Sequence, residues 1–305
     1  PTSGGGAMTS VGRILEGAFG VFRAHFIAVV IWGGIYLVGN IAMVIAMRPM
    51  MSQMLNPSFG QNPEAAVAAM APFYLAGLLL GILSTILYTA SMRSVLRPDA
   101  AGIAFLRLGM DELRTLGLLL LFGIGSFVLF FAASLVIGLF AGGMAAGSES
   151  VALTVLLSVL VGIALFGLLL YLIIRLSLAF PLTLHRRAFA IGEGWRLGHG
   201  RFWTLFGAAL VVSVIGFVLS TAINMVAMGG YFADIISAAG DPEAPLQAME
   251  RQAAAVNSFG TLMILQSIGG AVVAAIWLAL SGGSVASAAR LLIAEEFNDA
   301  EEVFG

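Results

Sequence analysis

The 305-residue chain lacks cysteine and lysine, and it has few charged residues of any kind. Without cysteine it can form no disulfide, thiolate metal site or thiol nucleophile. Only 10% of its residues are charged and 60% are hydrophobic, whereas about a quarter of a soluble domain is charged. Such a chain cannot cover its apolar core with side chains that suit water. The composition therefore predicts an integral membrane protein.

Six apolar stretches are long enough to cross a bilayer, since a helix needs about 20 apolar residues to do so. None carries a charge in its central part. They are Phe26–Met47, Ala71–Met92, Leu116–Ala141, Val151–Ile174, Trp203–Met228 and Thr261–Gly283. We interpret residues 1–8 as a tag or disordered tail, residues 9–290 as one six-helix membrane domain, and residues 291–305 as an acidic tail.

The arginines are unevenly distributed between the two ends of these segments. All of them except Arg48 and Arg251 lie at the end that also holds both chain termini. Positive residues are enriched on the cytoplasmic side of membrane proteins. The sequence therefore predicts a multi-pass membrane protein with cytoplasmic N and C termini.

An amphipathic stretch precedes each odd-numbered apolar segment, with apolar residues at spacings typical of one helix face. These residues are Val11, Ile14, Leu15, Ala18, Phe19, Phe22 and Phe26; Ile103, Leu106, Met110 and Leu113; and Ala188, Ile191, Trp195 and Phe202. We interpret residues 9–97, 98–184 and 185–290 as three repeats of one unit. The predicted fold is an all-α membrane protein with six transmembrane helices in three hairpins, each preceded by an amphipathic interfacial helix.

The even-numbered segments are more polar in their cytoplasmic halves. The residues concerned are Ser84 and Tyr88, Tyr171 and Arg175, and Ser281 and Ser284. If these faces converge, they line a cytoplasmic vestibule that can bind a ligand. The alternative, which we favour, is that small polar residues let helices pack closely in lipid.

A second group of candidate residues lies where the chain meets the cytoplasmic membrane surface. Arginines attract anionic headgroups there, and tryptophans are enriched at the interface. The predicted headgroup or interface residues are Arg23, Arg114, Trp195, Arg196, Arg201 and Trp203. The acidic residues after Arg290 are predicted to be solvated, to contact the cytoplasmic arginines, or to hold a basic partner.

Three amides, Asn40, Asn224 and Gln266, are the polar groups nearest the middle of the spans. An amide in hydrocarbon needs a hydrogen-bond partner, so we expect helix-to-helix hydrogen bonds, with a substrate contact as the alternative. No acidic residue lies mid-span, which argues against an ion-coupled pump. No base and nucleophile can be paired, so no enzymatic activity is predicted.

Methionines are concentrated on the side opposite the arginines. Met47, Met50, Met51 and Met54 follow one another in a segment predicted to be an outer loop. We favour plain loop packing. An adaptable apolar surface is the second interpretation, and a weak Cu(I) site made of thioethers is the third.

Two segments resemble a known family: Glu193–Gly207, with the sequence EGWRLGHGRFWTLFG, and Val11–Phe26. Both are similar to segments of bacterial proteins that carry the glycerophosphoryl diester phosphodiesterase membrane domain, and the six-span plan is similar too. The catalytic domain fused to such proteins brings a His-Arg-Gly start and an acidic metal cluster. This chain has His185-Arg186-Arg187 and no acidic cluster after it. The resemblance therefore implies the membrane domain without its enzyme, and no catalytic residue is carried over.

We expect a non-enzymatic protein that binds or handles amphiphiles, such as phospholipid or a hydrophobic peptide, or that scaffolds a membrane partner. The alternative is a facilitative transporter or channel for a small solute through the vestibule. The expected partners are membrane lipids, a hydrophobic peptide or a membrane protein. No cofactor and no nucleic acid are predicted.

Overall fold

A computed structural model of the chain describes residues 9–54, 62–100, 102–147, 151–237 and 260–304, with the single positions 247, 250, 251 and 254. The helices are α1 (Val11–Met54), α2 (Pro63–Leu96), α3 (Met110–Gly147), α4 (Val151–Leu176), α5 (Ala179–Arg186), α6 (Ile191–Leu197), α7 (Phe202–Ser237) and α8 (Thr261–Phe304). A 3₁₀ turn, Pro98–Ala100, follows α2. No β-strand occurs in the described ranges.

Six helical segments are long and apolar enough to cross a membrane. They are Val11–Gln53, Glu64–Leu96, Met110–Leu139, Val155–Arg186, Phe202–Val226 and Met263–Phe297. The predicted all-α fold with six potential spans is therefore confirmed. The helices extend beyond the apolar stretches, because a helix ends where capping or turn residues end it rather than where hydropathy falls.

The segment before the first span is helical, as predicted, but it is continuous with that span. Ile14 and Ala18 are fully buried on one face of α1, whereas Phe19 and Phe26 are exposed. The backbone leaves helical geometry at His25, with φ −136° and ψ 37°. The helix therefore bends just before the first predicted span begins.

The helix predicted over Ile103–Leu113 is wrong. Residues 102–105 form a turn, and α3 begins only at Met110. Positive φ at Gly102, Ala104 and Phe105 excludes a right-handed helix there. Long-range hydrogen bonds, described below with the site, hold this turn.

The third amphipathic stretch is also shorter than predicted. The helix α6 contains Ile191 and Trp195 but excludes Ala188 and Phe202. Gly198 follows α6, and Gly200 has φ 74°, so the chain turns there before α7 begins. The three stretches thus adopt different structures, and the internal repeat stays a prediction.

The methionine-rich segment is the end of α1 and not a loop. The helix continues through Pro49 to Met54. Proline is tolerated in a membrane helix where the freed carbonyl finds other partners. A rise of about 1.5 Å per residue places Met47 and Met54 about 10 Å apart along the axis.

The chain forms two compact units. The first unit is Pro1–Ile14, Leu108–Ala209 and Val285–Gly305, and the second is Leu15–Arg107 and Leu210–Ser284. Buried residues in the core of the first unit include Ile14, Leu178, Leu182, Leu205 and Leu292. Those of the second unit include Val21, Trp32, Leu87, Phe105 and Leu278.

Small residues let the helices of the second unit approach closely. A Cβ on Gly282 of α8 would lie 2.6 Å from the Ser91 Oγ of α2. A Cβ on Gly283 would lie 3.2 Å from the Cα of Ala18 in α1. Without side chains at these points, the helix backbones gain van der Waals contacts that compensate for the absence of a hydrophobic driving force in lipid.

Candidate functional site

The first unit holds a cluster of aromatic residues around Arg175, in the last turn of α4. The guanidinium carbon of Arg175 lies 3.8 Å from the ring centroid of Trp195 on α6. Its Nη1 donates a hydrogen bond to the hydroxyl of Tyr171, one helical turn earlier. The structure therefore brings together Tyr171, Arg175 and Trp195, three of the predicted site residues.

Two glycines, Gly194 in α6 and Gly198 directly after it, make this arrangement possible. A Cβ on Gly194 would lie 2.8 Å from the backbone nitrogen of Ala179, and one on Gly198 would lie 3.1 Å from the carbonyl oxygen of Arg175. Since they are four residues apart, these glycines share a helix face. That face rests directly on the backbone between α4 and α5, which places Trp195 over the guanidinium.

The aromatic cluster continues onto α7. The rings of Tyr171 and Phe202 lie 5.3 Å apart, and Phe202 stacks on Phe206 at 5.7 Å with an interplanar angle of 13°. Trp203, another predicted interface residue, is 77% exposed. The cluster therefore combines half-buried phenylalanines with two exposed tryptophans, since Trp195 is 38% exposed.

Three of the predicted headgroup arginines are paired with carboxylates. Arg196 lies 2.8 Å from Glu296, Arg201 lies 2.9 Å from Glu295, and Arg114 lies 3.4 Å from Asp111. Their attraction for anionic lipid is correspondingly reduced, because a nearby carboxylate offsets each charge.

The acidic residues after Arg290 belong to α8, which continues to Phe304. Two of them, Glu295 and Glu296, contact arginines, as the second of the predicted alternatives has it. Glu295 also accepts a hydrogen bond of 2.6 Å from the hydroxyl of Thr9, near the N terminus.

Arg175 differs from these arginines. Among the described residues it contacts no carboxylate, and its Nε is buried without a hydrogen-bond partner. In the part of the chain that the structure describes, its charge is met by a phenol oxygen and the faces of aromatic rings. Such a group retains the capacity to bind an anion.

The predicted vestibule residues of the second unit use their hydroxyl groups within their own helices. Ser84 donates to the carbonyl of Leu80 at 2.8 Å, Ser281 to that of Trp277 at 2.6 Å, and Ser284 to that of Ser281 at 2.9 Å. Tyr88 packs against the second unit's core. Together with the close contact at Gly282, these bonds support packing rather than a vestibule.

The mid-span amides differ from one another. Asn224 donates to the carbonyl of Ser220 at 2.8 Å, one turn earlier in α7. The helix-to-helix bond predicted for Asn224 is therefore wrong, because its acceptor lies within its own helix. Asn40 on α1 lies beside Gly270 on α8, with its Nδ2 3.4 Å from the Cβ position of that glycine. Gln266 is exposed.

No metal site is evident in the described part of the chain. Its His, Asp and Glu residues form no group of three that could hold an ion. Met47, Met50 and Met51 are half-buried on α1, and the side chain of Met54 lies outside the described residues. The thioether site stays a prediction.

Sequence reasoning missed a cavity in the second unit. Its volume is about 410 Å³, and its wall includes Arg23, His25, Phe26, Ile27 and Phe105. The ring of His25 makes an edge contact with that of Phe105, at 4.7 Å between centroids. The sequence predicts Arg23 as a headgroup or interface residue and does not indicate a cavity beside it. The turn residues Pro98 and Gly102 signal the loop that forms one wall, but not which helix it contacts.

Comparisons with known proteins give no family: no family model, no curated protein and no solved structure matches the chain. The resemblance of Glu193–Gly207 to the phosphodiesterase membrane domain therefore stays a prediction.

Proposed function

We propose that this protein is a non-enzymatic membrane protein that binds anionic phospholipid, with Arg175 as the headgroup contact. The observation that carries the proposal is a half-buried arginine at the end of an apolar helix without a carboxylate among its described contacts. A phosphate would supply the missing negative charge and accept hydrogen bonds from the guanidinium.

The surroundings of Arg175 suit a headgroup rather than a soluble anion. Arginine binds phosphate through a planar fork of donors, and it stacks on aromatic rings at the same time. Tryptophans are typical of the membrane interface, and Trp195 and Trp203 lie in or beside the cluster. Phosphate would therefore meet Arg175 at the depth where lipid headgroups lie.

The proposed placement is the bacterial inner membrane, with both termini in the cytoplasm. The positive-inside distribution of arginine supports this orientation. We also propose that the three hairpins descend from one repeated unit and that the chain is related to the phosphodiesterase membrane domain. Both proposals rest on sequence pattern alone.

Native mass spectrometry after mild delipidation tests the binding proposal with Arg175→Gln. The charge-assisted hydrogen bonds lost are each worth about 1.5–3 kcal/mol. We therefore expect the affinity for phosphatidylglycerol to fall about tenfold or more. Arg187→Gln is the matched control, because Arg187 is an exposed arginine after α5 that lies outside the cluster.

Two outcomes would contradict the proposal. Equal losses of bound phosphatidylglycerol in Arg175→Gln and Arg187→Gln would mean that binding depends on net charge and not on a specific site. An unmodified protein that retains no phosphatidylglycerol would exclude headgroup binding altogether. A Trp195→Leu variant adds a further check, since loss of the stacking ring should weaken retention without changing the charge.

A further inference from the structure

We propose that the cavity beside His25 is a second binding site, which takes the carboxylate end of a single-chain anionic amphiphile such as a fatty acid. This goes beyond the phospholipid contact at Arg175. The cavity belongs to the second unit, and none of the residues of the Arg175 cluster lines it.

The lining of the cavity is complementary to a molecule that has an anionic head and an apolar tail. Two cationic or donor side chains, Arg23 and His25, contribute to it, and no acidic residue does so among the described lining residues. The remaining wall is largely apolar and includes Phe26, Ile27 and Ile31. A guanidinium can bind a carboxylate through two parallel hydrogen bonds, and the imidazole adds another donor.

The size of the cavity favours one chain over two. Pockets for small ligands measure about 300–1,000 Å³, and this one, at about 410 Å³, is near the lower limit. It can hold a carboxylate with the first part of one acyl chain. A diacyl phospholipid would have to leave most of its volume outside.

One wall of the cavity is a strained turn. Ala104 has φ 53° and Phe105 has φ 60°, in the left-handed region that non-glycine residues rarely adopt. Such conformations are unfavourable for non-glycine residues, and strain of this kind clusters at ligand sites. The turn keeps its geometry only because other parts of the chain hold it.

Two buried side chains hold this turn. The indole Nε1 of Trp32 donates to the carbonyl of Ala104 at 2.9 Å, and Nη1 of Arg93 donates to that of Phe105 at 2.5 Å. Trp32 is 0% exposed and Arg93 is 1% exposed. Phe105 is thereby fixed against the ring of His25, so this wall is formed before any ligand binds.

Another part of the lining comes from α1, on both sides of its bend. The bend at His25 separates Arg23 from Phe26 and Ile27, which are 63% and 75% exposed. The first predicted span begins at Phe26, so this is where a headgroup would give way to an acyl chain. The order of residues along α1 therefore matches the order of groups along an amphiphile.

Because the chain has no cysteine, one introduced thiol can report on the cavity alone. We would measure the rate at which a maleimide labels Ile27→Cys in detergent, with oleate, phosphatidylglycerol or inorganic phosphate added in separate samples. The control is Ile124→Cys, an apolar position of α3 that is 63% exposed. We expect oleate to slow labelling of Ile27→Cys severalfold and to leave Ile124→Cys unchanged.

Adding Arg23→Gln to Ile27→Cys should abolish the protection. Persistence of the protection in this double variant would overturn the carboxylate contact. Protection by phosphatidylglycerol alone would overturn the single-chain occupant, and protection by phosphate alone would overturn any amphiphile. If no compound protects while retained lipid still depends on Arg175, the cavity proposal fails and the phospholipid proposal stands.

Discussion

Single polar side chains in the described helices bond mainly to nearby backbone. Thr85 donates to the carbonyl of Gly81, and Thr89 to that of Thr85, each one turn earlier. Such bonds are predictable from sequence, because the acceptor is always within the same helix. Trp32 and Arg93 differ, since their acceptors lie in a turn that only the tertiary structure brings near.

Replacing Trp32 with phenylalanine tests whether the indole hydrogen bond stabilises that turn. The variant keeps an aromatic ring but leaves the carbonyl of Ala104 without its donor, inside the second unit's core. Losing a buried partner lowers the free energy of unfolding by about 1–3 kcal/mol. Denaturant unfolding in detergent measures this quantity.

Trp203→Phe is the matched control for Trp32→Phe, because Trp203 is 77% exposed. We expect its effect to stay within about 0.5 kcal/mol, as for exposed substitutions generally. Equal destabilisation in both variants would show that the indole hydrogen bond does not hold the turn.

At the scale of helices, the packing of α8 against α2 depends on Gly282, because the absence of a side chain there lets the two helices approach closely. Gly282→Ala would place a methyl group 2.6 Å from Ser91 Oγ and 2.8 Å from Ser91 Cβ. Forcing a methyl group into a packed core costs about 1–3 kcal/mol. We expect a loss of that size in the free energy of unfolding, partly recovered in the double variant Gly282→Ala with Ser91→Gly.

Gly123→Ala on α3 is the control, since nothing lies within 4 Å of the Cβ position of Gly123. It should leave stability unchanged or raise it, because alanine favours a helix over glycine. If Ser91→Gly restores none of the free energy of unfolding that Gly282→Ala loses, the added methyl group does not clash with Ser91.

The end of α8 is predicted to stabilise the first unit through Glu295 more than through Glu296. Glu295 and Arg201 are 17% and 33% exposed, and Glu295 also binds Thr9. The pair Glu296 and Arg196 is more exposed, at 44% and 66%. A double-mutant cycle with glutamine should give a coupling energy of about 1–2 kcal/mol for the first pair.

For the second pair we expect about 0.2–1 kcal/mol, since water and salt screen exposed ions. Raising the salt concentration should weaken the Arg196–Glu296 coupling more than the Arg201–Glu295 coupling. A larger coupling for the exposed pair would contradict this order.

At the scale of the whole molecule, the six spans predict that opposite ends of the helices face opposite compartments. Single cysteines at Ser52→Cys, near the end of α1, and Arg187→Cys, after α5, mark these two ends. In sealed vesicles, a reagent that cannot cross the membrane should label only one of them, and inverted vesicles should reverse the result. Labelling of both in one orientation would exclude the six-span topology.

The sequence predicted the six spans well because a helix of about 20 apolar residues needs no information from other segments. It failed at residues 103–109, where φ values at Ala104 and Phe105 depend on donors supplied by α1 and α2. It also failed for Asn224, whose hydrogen-bond acceptor is the carbonyl of Ser220 on its own helix. The aromatic cluster was found in part, since Tyr171 and Arg175 share a helix face but Trp195 does not belong to that helix.

The sequence by itself determined the solvent and the fold class of this protein, because both depend on counts and local periodicity. Lack of cysteine and lysine, few charges and long apolar runs are enough to predict a helical membrane protein. Only the tertiary structure decided which arginines are paired with carboxylates and which one lies against an aromatic ring instead. It paired Arg196 and Arg201 with glutamates of α8 and left Arg175 against Trp195. The physical reason is that a charge is offset by its neighbours in space, and those neighbours come from distant parts of the chain.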